Sequence, residues 1–137
     1  MQYFVELHGI SSDEFFLINK LELNHSIIQI PQKVFSYIEN HFGEDCTLKD
    51  VAHRLQYDYA YLSKLFKRFA GISFTEYLNN YRISQACILL DEVSDSVTKI
   101  SERCGYNNLR TFHRNFRRIM GVSPQEYRER SLGSFSA

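Results

Sequence analysis

Phe66-Lys67-Arg68-Phe69-Ala70-Gly71-Ile72-Ser73-Phe74-Thr75-Glu76-Tyr77 and Phe116-Arg117-Arg118-Ile119-Met120-Gly121-Val122-Ser123-Pro124-Gln125-Glu126-Tyr127 are two versions of one string. The leading aromatic, the two cations, the Gly with its β-branched neighbour, the Ser and the Glu-Tyr pair keep their places at an offset of 50 residues. Further upstream the offset is 49, as from Val51 to Ile100 and from Tyr57 to Tyr106, so the second copy has one extra residue in its turn. A match that keeps register over residues 48–78 and 97–128 marks an internal duplication.

Each copy reads as helix, tight turn, helix. In the first, Thr47 with Asp50 three residues on resembles a capping box, and Leu48, Val51, Ala52 and Leu55 follow at helical spacing. Asp58 caps a second helix with Leu62, Leu65, Phe66 and Phe69 on one face and Gly71 at its end. In the second copy Ser96 caps a helix presenting Val97, Ile100 and Cys104; residues 105–108 turn; Phe112, Phe116, Ile119 and Met120 form the buried face before Gly121.

Working outward, residues 73–91 lack Gly and Pro and are expected to form one long linker helix. It carries two apolar stripes: Phe74, Tyr77, Leu78 and Tyr81 on one, Ile83, Ala86, Cys87 and Leu90 on the other. Two stripes predict one repeat unit against each. At roughly 19 residues the helix spans about 28 Å. Val34, Phe35, Ile38 and Phe42 predict a further amphipathic helix after Pro31, and Ser123-Pro124 opens a short last helix through Tyr127, with residues 131–137 a frayed polar tail. The fold class is therefore all-α, about seven helices: helix-turn-helix 1 at 47–70, the linker at 73–91, helix-turn-helix 2 at 96–120, within a domain at 31–137. Residues 1–30 differ in composition and read as two short strands or one strand and a helix, an N-terminal extension or the remnant of a preceding domain.

The chain has 137 residues and no net charge, but its charges are segregated. Residues 97–130 hold eight cations against three acids, and residues 47–70 five against two, whereas 73–95 hold one cation and four acids. Two basic blocks flank an acidic one. No apolar run has membrane length, the first ten residues lack a signal-peptide pattern, and Cys46, Cys87 and Cys104 show neither disulfide nor zinc spacing, so a reducing cytoplasmic compartment is expected.

The helix at 109–120 shows what the basic blocks are for. Outside its apolar stripe stand Arg110, Thr111, His113, Arg114, Arg117 and Arg118, most of them on one side, with no acid among them. A surface helix ordinarily mixes signs. An all-cationic face suits a DNA major groove, where Arg meets guanine O6 and N7 bidentately and Thr meets a base edge or a thymine methyl. The matching face of the first copy is Ala60, Ser63, Lys64 and Lys67, with Tyr59 and Tyr61 at its start. Lys64 is its only long polar side chain expected to reach a base, so this copy leans on phosphate contacts.

With these residues in view, the stretch 32–130 resembles the two-module DNA-binding domain of AraC/XylS-type transcriptional regulators. The resemblance is carried by Arg82 and Ala86 in the linker helix, Gly105-Tyr106 in the second turn, and the closing Gly121-Val122-Ser123-Pro124 with Tyr127-Arg128. It implies two homeodomain-like helix-turn-helix units in a bacterial protein, double-stranded DNA as partner, and recognition helices entering successive major grooves. Matching positions place groove-facing residues at Ala60, Ser63 and Lys64 and at Arg110, Thr111 and Arg114; Lys67, His113 and Arg117 join them as DNA contacts. Ser101 stands where the family usually has Ala, and Cys104 where it has a Val-like residue. RNA polymerase is admitted as a further partner. Tandem copies let a monomer bind, and a dimer would form through a sensor domain ahead of this part.

Two other classes compete. An enzyme is disfavoured: the five histidines show no H-E-x-x-H spacing, no nucleophile elbow or phosphate loop appears, and the cysteines read as buried structural thiols, so no catalytic residue, metal or cofactor is expected. A basic protein-interaction module without sequence-specific DNA binding is the second alternative, separated from DNA binding by salt dependence.

Overall fold

The computed structural model describes residues 26–136, and among these helices are the only regular elements. The elements are α1 (Ser26–His41), α2 (Leu48–Leu55), α3 (Tyr59–Ala70), α4 (Phe74–Glu92), α5 (Val97–Arg103), α6 (Leu109–Met120) and α7 (Pro124–Ser136). The strands or helix expected in residues 1–25 lie outside the described residues. The chain divides into two compact units. The first takes in Cys46–Tyr77 and the described residues up to His41, the second Phe42–Asp45 and everything from Leu78 onward.

The expected caps form. Thr47 accepts from the Asp50 amide at 3.2 Å while its own hydroxyl donates to the Asp50 carboxylate at 2.9 Å, so the box closes side chain to side chain. Asp58 accepts from the Tyr61 amide at 3.0 Å and Ser96 from Lys99 at 3.1 Å; Asn108, read in the sequence only as part of the turn, also caps, accepting from Thr111 at 3.1 Å. Both α2 and α5 end in the same reversal: the Tyr57 amide bonds the Ala52 carbonyl, and the Tyr106 amide the Ser101 carbonyl. The residue before each tyrosine has positive φ, Gln56 at 61° and Gly105 at 91°. The inserted residue of the second turn is thus Asn107, whose side chain donates to Asp45 at 3.2 Å.

In the first unit an aromatic cluster seals the duplicated motif. Phe35 lies 5.5 Å from Phe66 and 5.0 Å from Tyr77, and Phe66 lies 5.8 Å from Phe74. Val34, Ile38, Val51, Ala52 and Leu62 are buried with it. In the second unit Ile83, Ala86, Cys87 and Leu90 of α4 pack with Ile100, Cys104, Tyr106, Phe112 and Phe116. The linker helix therefore serves both units by segments of its length rather than by whole stripes: Phe74 and Tyr77 belong to the first, Leu78 and Tyr81 to the second.

Four further expectations need correction. Pro31 lies inside α1, not before it. Its missing N–H costs one helical bond near the start, and the buried ring beside Ile30 offsets the loss. Phe42 is not on that helix; it lies past its end and packs its ring 5.3 Å from Tyr81 in the second unit. Met120 is 38% exposed instead of buried, and the core-facing side of the helix ends with the half-buried Ile119. The last helix continues to Ser136. What carries it on is side-chain anchorage: Arg128 donates to the Leu90 and Val93 carbonyls at the end of α4, and Ser131 and Tyr127 donate to Asp91.

Candidate nucleic-acid interface

α6 is the second helix of the second helix-turn-helix, fixed by Phe112 and Phe116, both fully buried. That packing turns Arg110, His113, Arg114 and Arg117 outward, all exposed, with Thr111 half-buried at the edge of the same face. Its first turn has no acidic residue, so the partial positive charge of the helix N-terminus adds to Arg110. Among the described residues neither Arg110 nor Arg114 has an ion-pair partner. The His113 ring lies 5.9 Å from Phe112.

The other cations of the basic block are differently placed. Arg103 is held by Asp95 at 3.2 Å, Arg118 donates to Asn115 at 3.3 Å, and Arg128 caps α4. Arg117 meets Glu126 at 3.3 Å. The charge count alone could not separate these from the two unopposed arginines, since the acids that hold Arg103 and Arg117 lie eight or nine residues away in sequence.

In the first unit α3 presents Ala60, Lys64 and Lys67 as exposed positions and Ser63 as half-buried. Tyr59 is 46% exposed, with the Lys49 ammonium 5.7 Å from its ring centre. Arg54, counted among the basic residues of this copy, lies 5.9 Å from the Tyr37 ring.

Arg82, singled out in the sequence only by resemblance, is the organising cation of the second unit. It donates to the Phe42 carbonyl at 2.9 Å and the Glu44 carbonyl at 2.8 Å and lies 5.5 Å over the Tyr106 ring. Gly105 makes the room: a Cβ there would stand 2.3 Å from the Phe42 carbonyl oxygen and 2.9 Å from the guanidinium. Tyr106 donates to Asn79 at 2.8 Å, and burial pushes its hydroxyl up to about 12 against the pull of Arg82. All three cysteines are free and buried; burial pushes Cys104 up to about 11, well above the range of a reactive thiolate. Ser101 is buried, and its hydroxyl donates to the Thr98 carbonyl at 2.9 Å. No helix among the described residues is long and apolar enough to cross a membrane.

A family model described as a helix-turn-helix domain matches residues 47–130. The uncharacterized HTH-type transcriptional regulator YtdP of Bacillus subtilis is 37% identical over 100 residues, 73% of this chain and 13% of the relative. The regulatory protein PocR of Salmonella typhimurium is 35% identical over 98 residues, 72% of this chain and 32% of the relative. Among solved structures, the C-terminal domain of AraT, a response regulator from Geobacillus stearothermophilus, superposes with a TM-score of 0.73 at 36% identity, covering 75% of this chain and 86% of that one. The DNA-binding domain of the global transcriptional factor AdpA, solved with a target DNA, gives 0.69 at 26% identity, covering 72% and 89%. The chain belongs to the AraC-type helix-turn-helix family of transcriptional regulators. It spans 13% and 32% of the length of the two curated relatives named. The family is not an enzyme class.

Proposed function

We propose that this chain binds double-stranded DNA sequence-specifically and regulates transcription, with α6 as the principal reader and α3 as the weaker one. The observation that carries the reading is the exposed, acid-free face of α6, on which Arg110 and Arg114 stand one turn apart without an ion-pair partner among the described residues. Arg110 and Arg114 read guanines, and Thr111 meets a base edge or a thymine methyl. On α3, Ala60 and Ser63 lie against the groove, and Lys64 is the one long reader. Lys67, His113 and Arg117 contact phosphates, which set register without sequence information. A DNA ligand puts the chain in a bacterial cytoplasm. RNA polymerase contact, and dimerisation through a sensor domain, belong to the proposal for a whole regulator.

The test is alanine substitution of Arg110 and of Arg114 singly, with affinity measured on a selected site and on its single-base variants. Each loss is about 1–3 kcal/mol and relaxes preference at one or two base pairs. A loss that is equal on every sequence makes them phosphate contacts and sinks the assignment.

A further inference from the structure

The duplication supplies an internal comparison at the edge of the proposed DNA face. Lys67 and Arg117 occupy equivalent positions, as do Glu76 and Glu126. Both glutamates sit in the first turn of a helix, and both amides are capped alike, Glu76 by Ser73 at 3.2 Å and Glu126 by Ser123 at 3.1 Å. The local backbone frame is therefore the same. In the second copy the carboxylate holds its cation, Glu126 to Arg117 at 3.3 Å. In the first copy no ion pair joins Lys67 to Glu76 among the described residues. Arginine's longer fork reaches the carboxylate, and the shorter, more strongly hydrated lysine does not hold it.

We propose that Glu126 is an intramolecular competitor for phosphate: it occupies Arg117 in the free protein and lowers affinity for DNA of any sequence. The inference rests on the DNA-binding reading above. The pair is exposed on both sides, 65% and 48%, so a phosphate competes with it for Arg117 and gains the cation only in part. Glu126 is also the only acid on the strand of sequence that joins α6 to the first turn of α7. Its effect falls on the phosphate contribution and not on base reading, because Arg110 and Arg114 have no ion pair to it. The consequence is discrimination: non-specific binding, which is almost wholly electrostatic, loses a larger share than specific binding does.

The experiment titrates the whole chain against random-sequence duplex at several salt concentrations. Glu126→Gln is expected to bind severalfold tighter at low salt, with the salt slope steeper by up to about 0.9, the part of one phosphate contact that Glu126 withholds in the wild type. Glu76→Gln, the same charge change at the equivalent position, leaves the slope where it was. In an Arg117→Gln background, Glu126→Gln has no further effect on the slope. An unchanged slope for Glu126→Gln, an equal change at Glu76, or an effect that survives the loss of Arg117 overturns the proposal while leaving DNA binding intact. A wild-type chain with no salt-dependent binding overturns the functional reading itself, and this inference with it.

Discussion

Gly105 shows how one backbone position ties sequence to fold. Its φ of 91° is open to glycine and strained for any other residue, and its missing Cβ is where the Phe42 carbonyl and the Arg82 guanidinium meet. Gly105→Ala is therefore expected to cost at least about 2 kcal/mol, from the left-handed strain and the displaced hydrogen bonds of Arg82, read as a fall in urea midpoint. Loss of less than half of this would show that Arg82 finds another seat. Gln56 is its counterpart in the first copy, at a φ of 61° without glycine. Gln56→Gly should raise stability by a few tenths to about 1 kcal/mol, the gain of the relaxed conformation less the added freedom of the unfolded chain. Tyr106 gives a pH dependence. Its hydroxyl is raised to about 12 in the fold, so its contribution is complete below the ordinary tyrosine value of about 10 and is lost as pH rises from there toward 12. Denaturant midpoints between pH 9 and 11.5 should fall less steeply in Tyr106→Phe than in the wild type; parallel curves would assign the alkaline loss elsewhere.

At the scale of elements, the caps and apolar spacings made the duplicated motif legible: Thr47, Asp58 and Ser96 each stand at a helix start, whereas Asn108, read as turn, proved to be the fourth cap. What the sequence concealed was decided by long-range contact. Nothing local says that Phe42 leaves α1 for Tyr81, or that the carbonyls ending α4 and the Asp91 carboxylate hold α7 in place through Arg128, Tyr127 and Ser131. Pro31 misled because a proline marks a helix start more often than an interior position. The exposed basic face of α6 was legible from helical spacing but not from a charge count, since Arg103, Arg117 and Arg128 are basic in sequence yet engaged in space. Asn108→Ala tests the element that matters most. It removes the cap that the Thr111 amide uses and should cost about 1 kcal/mol, fraying the turn that carries Arg110. DNA affinity should then fall more than affinity for Asn115→Ala, which leaves the cap in place.

For the whole molecule, α4 is one uninterrupted helix of 19 residues with residues in both units. Proline at Ala86 would strike the core of the second unit, where that side chain is fully buried. Asn80 is exposed, so Asn80→Pro interrupts the helix without entering either core, at about 3 kcal/mol. A footprint of the folded variant should keep at most the segment contacted by α6; two protected segments at unaltered affinity would remove the linker from the account. The central claim is that the α6 arginines read bases, and selection of binding sites from a randomised duplex by the whole chain tests it most directly. The expected result is two informative segments about 10 base pairs apart, one of them containing guanines whose enrichment disappears in the Arg110→Ala, Arg114→Ala double variant. A selected motif that is identical in the wild type and the double variant, or no enrichment over the starting pool, contradicts it.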